Sequence, residues 1–286
     1  MPASIWLPGA NGIRVHGLAW GAVSAPRLIL LLHGVGGNAH VWKPVAQRLD
    51  ASIGHRYRIV ALDGRDGGST DHPATGYAPE DFGADLASVH ESLGGGPLTL
   101  VGHSRGGWTA SWFAARHADR VERLVLVDPA RLTFATGADA DRFYEWVREG
   151  IGPFPTREAA LAWARDHDPE AEWNEARKRA FLAGFVEQQD GTLVGRLPAS
   201  AVEQLRTARE SGDSVGPYLD RITCPVLLLV GTRQSAARRR DKLAYAAGPP
   251  DVCVVAVNGT HFLHTDAPGE VADHIGRFLV EPASPA

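Results

Sequence analysis

The 286-residue sequence predicts an α/β fold: a mostly parallel central sheet with helices on both faces, and a helical segment inserted late in the chain. Three observations predict it. Short, largely apolar runs at residues 28–32, 59–62, 98–101 (with Thr99) and 124–127 (after Arg123) alternate with helix-like stretches, as βαβ units do. These runs lack polar–apolar alternation, so they suit strands covered on both faces. From Arg131 to about Gly216 strand-like runs disappear, and charged, Ala-rich segments with spaced aromatics replace them.

Taken in order, residues 1–25 read as a β-hairpin, with Asn11-Gly12 as the turn between two extended runs. The run at 28–32 leads into the loop His33-Gly34-Val35-Gly36-Gly37-Asn38. The run at 59–62 leads into Asp63-Gly64-Arg65-Asp66-Gly67-Gly68-Ser69-Thr70. The run at 98–101 ends in Gly102-His103-Ser104-Arg105-Gly106, and residues 108–117 suit a helix. A strand turning sharply into a helix there lifts the Ser104 hydroxyl from the sheet edge, and the flanking glycines remove Cβ atoms that would clash. The run at 124–127 closes on Asp128-Pro129.

Residues 139–147 and 157–163 have amphipathic helical spacing, with Pro153, Pro155 and Pro169 as breaks. Phe143, Trp146, Trp163, Trp173, Phe181 and Phe185 punctuate this region. Most are expected to pack the insertion onto the core, with one or two facing substrate; Trp146, Trp163 and Trp173 are the candidates. Sheet architecture is expected to resume at Tyr218. Runs at 225–231 and 252–257 then precede Gly259-Thr260-His261-Phe262 and a helix near 268–279. The expected organisation is a core of residues 1–131 and 217–286 with an insertion at 132–216.

Composition narrows the function. A formal net charge of −4 gives no basic stripe for nucleic acid or an anionic membrane. No apolar stretch reaches the length of a bilayer span, and the start lacks the pattern of a signal peptide. The two cysteines, Cys224 and Cys253, open predicted strands that would be neighbours in a parallel pair; they read as buried free thiols in a reducing compartment, so a cytoplasmic location is expected. Arginine greatly outnumbers lysine, which occurs only at 43, 178 and 242, a bias read as genome composition. No pattern sets an oligomeric state.

These segments, in this order, resemble the α/β-hydrolase superfamily over nearly the whole chain, including its serine elbow, its oxyanion loop at His33-Gly34 and its frequent helical cap. The resemblance implies a hydrolase that needs no cofactor and no metal and acts on a small molecule. Ser104 would be the nucleophile, and the backbone amides of Val35 and Arg105 the oxyanion hole. The Arg105 side chain is expected in a salt bridge of the fold, although an acidic substrate group is an alternative partner. Among twelve histidines, His261 matches the family's Gly-His-Phe turn after the last strand, with Thr260 in place of the glycine; His264 is the fallback. His103 is expected to point away from the nucleophile and to pack.

The chain departs from the family at the third member. The usual acid follows the penultimate strand, and Gln234 occupies that position, while Asp241 falls within a predicted helix. Some members carry the acid at the end of the strand after the nucleophile, which here is Asp128. The alternative is that Asp128-Pro129 only turns the chain toward the insertion. Asp66 and Gly67 also depart from the family's usual turn, where Asp63 and Arg65 read as structural. The leading expectation is hydrolysis of a small, largely apolar ester or lactone. Alternatives are a carbon–carbon bond hydrolase, a non-hydrolytic enzyme of this fold (cofactor-free dioxygenase, lyase or biosynthetic cyclase), or a degenerate ligand-binding member.

Overall fold

The computed structural model describes residues 1–130, 138–169, 171–211 and 216–280. The chain opens with β1 (Ala3–Pro8), β2 (Arg14–Trp20), β3 (Arg27–Leu32), α1 (Lys43–Ile53), β4 (Tyr57–Leu62) and α2 (Pro79–Ser92). It continues through β5 (Leu98–Ser104), α3 (Arg105–Arg116) and β6 (Val121–Pro129). An insertion follows, with α4 (Ala138–Gly150), α5 (Arg157–His167), α6 (Glu175–Leu182), β7 (Phe185–Glu187), β8 (Leu193–Gly195) and α7 (Ala199–Ser211). The chain then returns through β9 (Val226–Gly231), α8 (Ala236–Leu243), β10 (Val252–Val257), α9 (Leu263–Asp266) and α10 (Pro268–Val280).

Eight strands form one sheet in the order β1-β2-β4-β3-β5-β6-β9-β10. β1 and β2 pair antiparallel, as the Asn11-Gly12 signal predicts; both turn residues take positive φ, 55° and 81°. The strands from β4 to β10 in that order run parallel. Both faces are covered, which explains the largely apolar runs. Leu28, Leu30 and Leu32 share one core with Trp112 and Phe113 of α3. Ile29 and Leu31, pointing the other way, share the second with Leu49 of α1 and Ile275 and Leu279 of α10. Each fully buried side chain of this size contributes about 1.5–3 kcal/mol.

The structure adjusts four expectations. The insertion contains a strand pair, β7 with β8, joined by a turn in which the Gly191 N–H donates to the Gln188 carbonyl at 3.0 Å; three-residue strands are too short to make an apolar run. Residues 218–221 lie in a 3-10 turn, and the sheet resumes only at Val226. β9 and β10 are parallel neighbours, but Cys253 lies opposite Leu227, so Cys224 is out of register; both thiols are free. Cys253 is exposed rather than buried, because β10 is an edge strand. The expected boundary at 131/132 lies outside the described residues.

Candidate active site

Ser104 ends β5 and Arg105 begins α3, so one residue makes the whole turn. Its backbone sits at φ 51°, ψ −119°, a region costly for a residue with a side chain. The neighbouring glycines are required. A Cβ on Gly102 would lie 2.3 Å from the Gly106 carbonyl oxygen, and one on Gly106 would lie 2.4 Å from that of Leu32. The Ser104 hydroxyl lies 3.0 Å from Nε2 of His261, which the loop after β10 carries.

Nδ1 of His261 lies 2.5 Å from Oδ2 of Asp128, so the structure brings Ser104, His261 and Asp128 into one hydrogen-bonded chain. Asp128 is fully buried and also takes positive φ, 43°. It sits where β6 departs from regular register with β5: His103 pairs with Val127, while Ser104 pairs with Pro129. That irregularity inserts Asp128 as an extra residue beside the serine. Its other oxygen accepts from Gln234 Nε2 at 2.7 Å and from the Gly231 amide at 3.2 Å. The glutamine at the usual acid position therefore donates to the acid from the neighbouring strand.

Lys242 of α8 completes this environment and was not anticipated as a site residue. It is buried, donates to the Pro129 carbonyl, and places Nζ 3.5 Å from Oδ2 of Asp128. Its signal in the sequence is retention of one lysine in an arginine-rich stretch, Arg238-Arg239-Arg240-Asp241-Lys242. Burial alone would raise the Asp128 carboxyl, but the bond from His261, the positive charges of His261 and Lys242, and the Gln234 amide bring it below its ordinary value. Burial lowers His261 below its usual 6.5; Asp128 opposes that, and the charges of Lys242 and Arg238 reinforce it.

The other predicted residues separate into wall and support. The loop after β3 turns tightly, Gly37 N donating to Gly34 O at 3.0 Å, which leaves the Val35 N–H outside that bond. Gly34 passes close enough that a Cβ on it would lie 3.1 Å from Cβ of Ser104. Val35 and Ser104 line one cleft. The Arg105 amide is in the first turn of α3, where N–H groups have no intrahelical acceptor. Its side chain turns away and pairs with buried Asp66 at 2.5 Å, which accounts for the departure at position 66. His33 accepts from the Gly64 amide at 2.8 Å and ties this loop to the β4 turn.

His103 is buried, and its Nε2–H donates to the His261 carbonyl at 2.8 Å, so it supports the backbone of the loop that carries His261. His264 is buried beside it, with ring centroids 4.2 Å apart, and burial pushes its pKa down to about 3; Ser104 faces His261 instead. Asp63 accepts from His16, Ala39 and Ser69, and Arg65 pairs with Asp85, both beneath the loops. Asp241 lies in α8.

An open cleft over Ser104 joins an inner, mainly apolar chamber of about 190 Å³. Val35, Trp146, His167, Asp168 and Phe262 border both. Trp146, Trp163 and Trp173 all line the chamber with Phe181 and Phe185, and Phe143 lines the cleft. All six predicted aromatics thus border the cavity, more than the one or two expected, because the insertion lays one apolar face over the strand ends. Buried Arg177 of α6 ties it to the core through Asp266 at 2.8 Å and pairs within the insertion with Asp168 at 2.6 Å. Asp266 in turn accepts from the backbone and hydroxyl of Thr260, next to His261. Among the described residues, no cluster of three or more His, Cys, Asp or Glu is arranged to hold a metal ion, and no helix is long and apolar enough to cross a membrane.

Residues 27–268 match the family profile of the alpha/beta hydrolase fold. The chain belongs to the α/β-hydrolase family. This hydrolase is 29% identical to 2-(acetamidomethylene)succinate hydrolase of Mesorhizobium japonicum, over 88% of its own length and 87% of the relative's. It is 28% identical to N-formylmaleamate deformylase of Pseudomonas putida, over 96% and 95% of the two chains. Among solved structures, E-2-(acetamidomethylene)succinate hydrolase superposes with a TM-score of 0.82 at 25% identity, covering 98% of this hydrolase and 100% of that chain. The enol-lactonase of Burkholderia xenovorans LB400 shares the fold, with a TM-score of 0.76 at 20% identity over 97% and 100%.

Proposed function

We propose that this α/β-hydrolase is a serine hydrolase that cleaves a small, largely apolar ester or lactone through an acyl-enzyme at Ser104. The observation that carries the reading is the hydrogen-bonded chain from Ser104 through His261 to Asp128 at the floor of a cleft. Nε2 of His261 takes the Ser104 proton as Oγ attacks the carbonyl carbon. The Val35 and Arg105 amides receive the developing oxyanion, each such donor being worth about 10²–10³ in rate. His261 then protonates the departing alkoxide, and water activated by the same nitrogen releases the acid. Asp128 holds Nδ1–H and stabilises the imidazolium. Residues 132–216 act as a cap whose apolar chamber takes the body of the substrate. A cytoplasmic location belongs to the same reading, supported by two free thiols.

Amide or formyl acyl groups are a second reading of the same chemistry, favoured by the names of the two relatives: a hydrolase of an acetamidomethylene succinate and a deformylase. The decisive experiment is labelling with a fluorophosphonate probe followed by peptide mass spectrometry. Covalent adduct on Ser104, lost in Ser104→Ala and strongly slowed in His261→Ala, is expected. A wild-type protein that takes no label, or a Ser104→Ala protein that keeps full turnover, overturns the acyl-enzyme.

A further inference from the structure

Two cations at the mouth of the cleft have no part in the chemistry above. Arg233 and Arg238 border the space onto which Ser104 and His261 open. Counting charges separates them. Asp168, the carboxylate on the cleft wall, is held by Arg177, which also pairs with Asp266; Arg233 approaches the other Asp266 oxygen at 3.5 Å. These two cations and two carboxylates balance. Asp128 is matched by Lys242, and Asp66 by Arg105. Among the described residues Arg238 borders the cleft and has no ion-pair partner, so within that set its positive charge is not matched by a carboxylate.

Placement distinguishes Arg238 from an ordinary solvated arginine. It lies one helical turn before Lys242, so α8 presents both side chains to the same side. Lys242 goes down to Asp128, and Arg238 goes into the cleft. Its backbone is fixed by the helix cap, where its N–H donates to Ser235 Oγ at 3.3 Å. Its charge is felt at His261, where it disfavours the imidazolium. A guanidinium there offers the planar, paired donors that suit a carboxylate.

We propose that Arg238 forms a carboxylate-binding subsite at the mouth of the Ser104 cleft, which Arg233 also borders, so that the preferred substrate joins a small apolar body to one carboxylate. The tryptophan-lined chamber takes the apolar body, and Arg238 holds the charged end in the open lobe. Binding an anion there also offsets the positive field at His261 and makes its imidazolium easier to form during acyl transfer.

The proposal deepens the hydrolase reading, and its kinetic test rests on that reading. Two ester pairs are compared at low salt: p-nitrophenyl hydrogen glutarate with p-nitrophenyl hexanoate, and 3-acetoxybenzoate with 3-tolyl acetate. The first pair carries the carboxylate on the acyl side, the second on the leaving group. In at least one pair the wild type is expected to favour the anion by about tenfold or more in kcat/KM, the size of one charge-assisted contact. Arg238→Gln is expected to reduce that preference by about tenfold, and Arg238→Lys by less. Arg239→Gln, the exposed neighbour that does not border the cleft, controls for net charge and should leave the preference within about twofold.

A second measurement needs no turnover. Calorimetry on Ser104→Ala compares methyl hydrogen glutarate with dimethyl glutarate, before and after adding Arg238→Gln. Anion binding weakened by about tenfold in the double variant supports the subsite even if no ester is hydrolysed, in which case only the hydrolase reading falls. Neutral esters turned over at Ser104 with no anion preference in either pair overturn the subsite and leave the hydrolase reading intact.

Discussion

At Asp128, His261 and Lys242 meet one carboxylate oxygen, while Gln234 and the Gly231 amide meet the other. Each neighbour has a different task, and substitution should separate them. Asp128→Asn removes the charge that faces the imidazolium and is expected to lower kcat by about 10⁴. Gln234→Met removes one donor to a buried carboxylate and is expected to cost about ten- to a hundredfold. If steady-state kinetics give the reverse order, the acid role does not belong to Asp128. Lys242→Met has a pH signature. His261 must be neutral to accept the serine proton, so kcat/KM falls as pH drops through its pKa, which burial first and then Lys242 hold below 6.5. The acid limb is therefore expected below pH 6.5 in the wild type. Removing the lysine charge favours the imidazolium and moves that limb to higher pH. A limb that stays in place would show that Lys242 does not act on His261.

The elements bring distant segments to one end of the sheet. Ser104 ends β5, Asp128 lies near the end of the adjacent β6, and His261 follows β10, two strands further on. Much of this was legible, because it rests on local patterns. Largely apolar runs mark strands covered on both faces, and the paired glycines around Ser104 mark a turn that no Cβ fits. Asp128 was reachable because a neutral residue at 234 sends the reading to the adjacent strand end. What stayed hidden depends on contacts far apart in sequence. Nothing local shows that Lys242 reaches Asp128, 114 positions away, or that Arg177 meets Asp266. Arg65 is intermediate: its turn was recognisable, but its partner Asp85, on α2, was not. Both members of that pair are buried, so Arg65→Met leaves an unmatched carboxylate. A loss of about 3–5 kcal/mol is expected, read from the urea midpoint. A midpoint that barely moves would show that the loops do not depend on this pair.

Across the whole molecule, the contacts between insertion and core among the described residues include the apolar chamber wall and a hydrogen bond from Asn38 Nδ2 to the Ala180 carbonyl at 2.8 Å. They also include the ionic Arg177–Asp266 bridge, which reaches Thr260 and the histidine loop. The cavity is thus bounded by the insertion on one side and the loops that carry Ser104 and His261 on the other, and its filling concerns both parts. The three indoles on its wall add an optical consequence. Trp146 and Trp163 lie stacked with centroids 6.2 Å apart, and Trp173 borders the same space. A ligand entering replaces water beside these rings, and indole emission shifts to shorter wavelength as its surroundings lose polarity. Titrating Ser104→Ala with a non-hydrolysed ester should therefore blue-shift intrinsic fluorescence. The combined variant Trp146→Phe, Trp163→Phe should lose most of that shift, and an unchanged shift would place the ligand elsewhere. The apolar wall laid down by the insertion would thus serve as an unlabelled fluorescent gauge of occupancy.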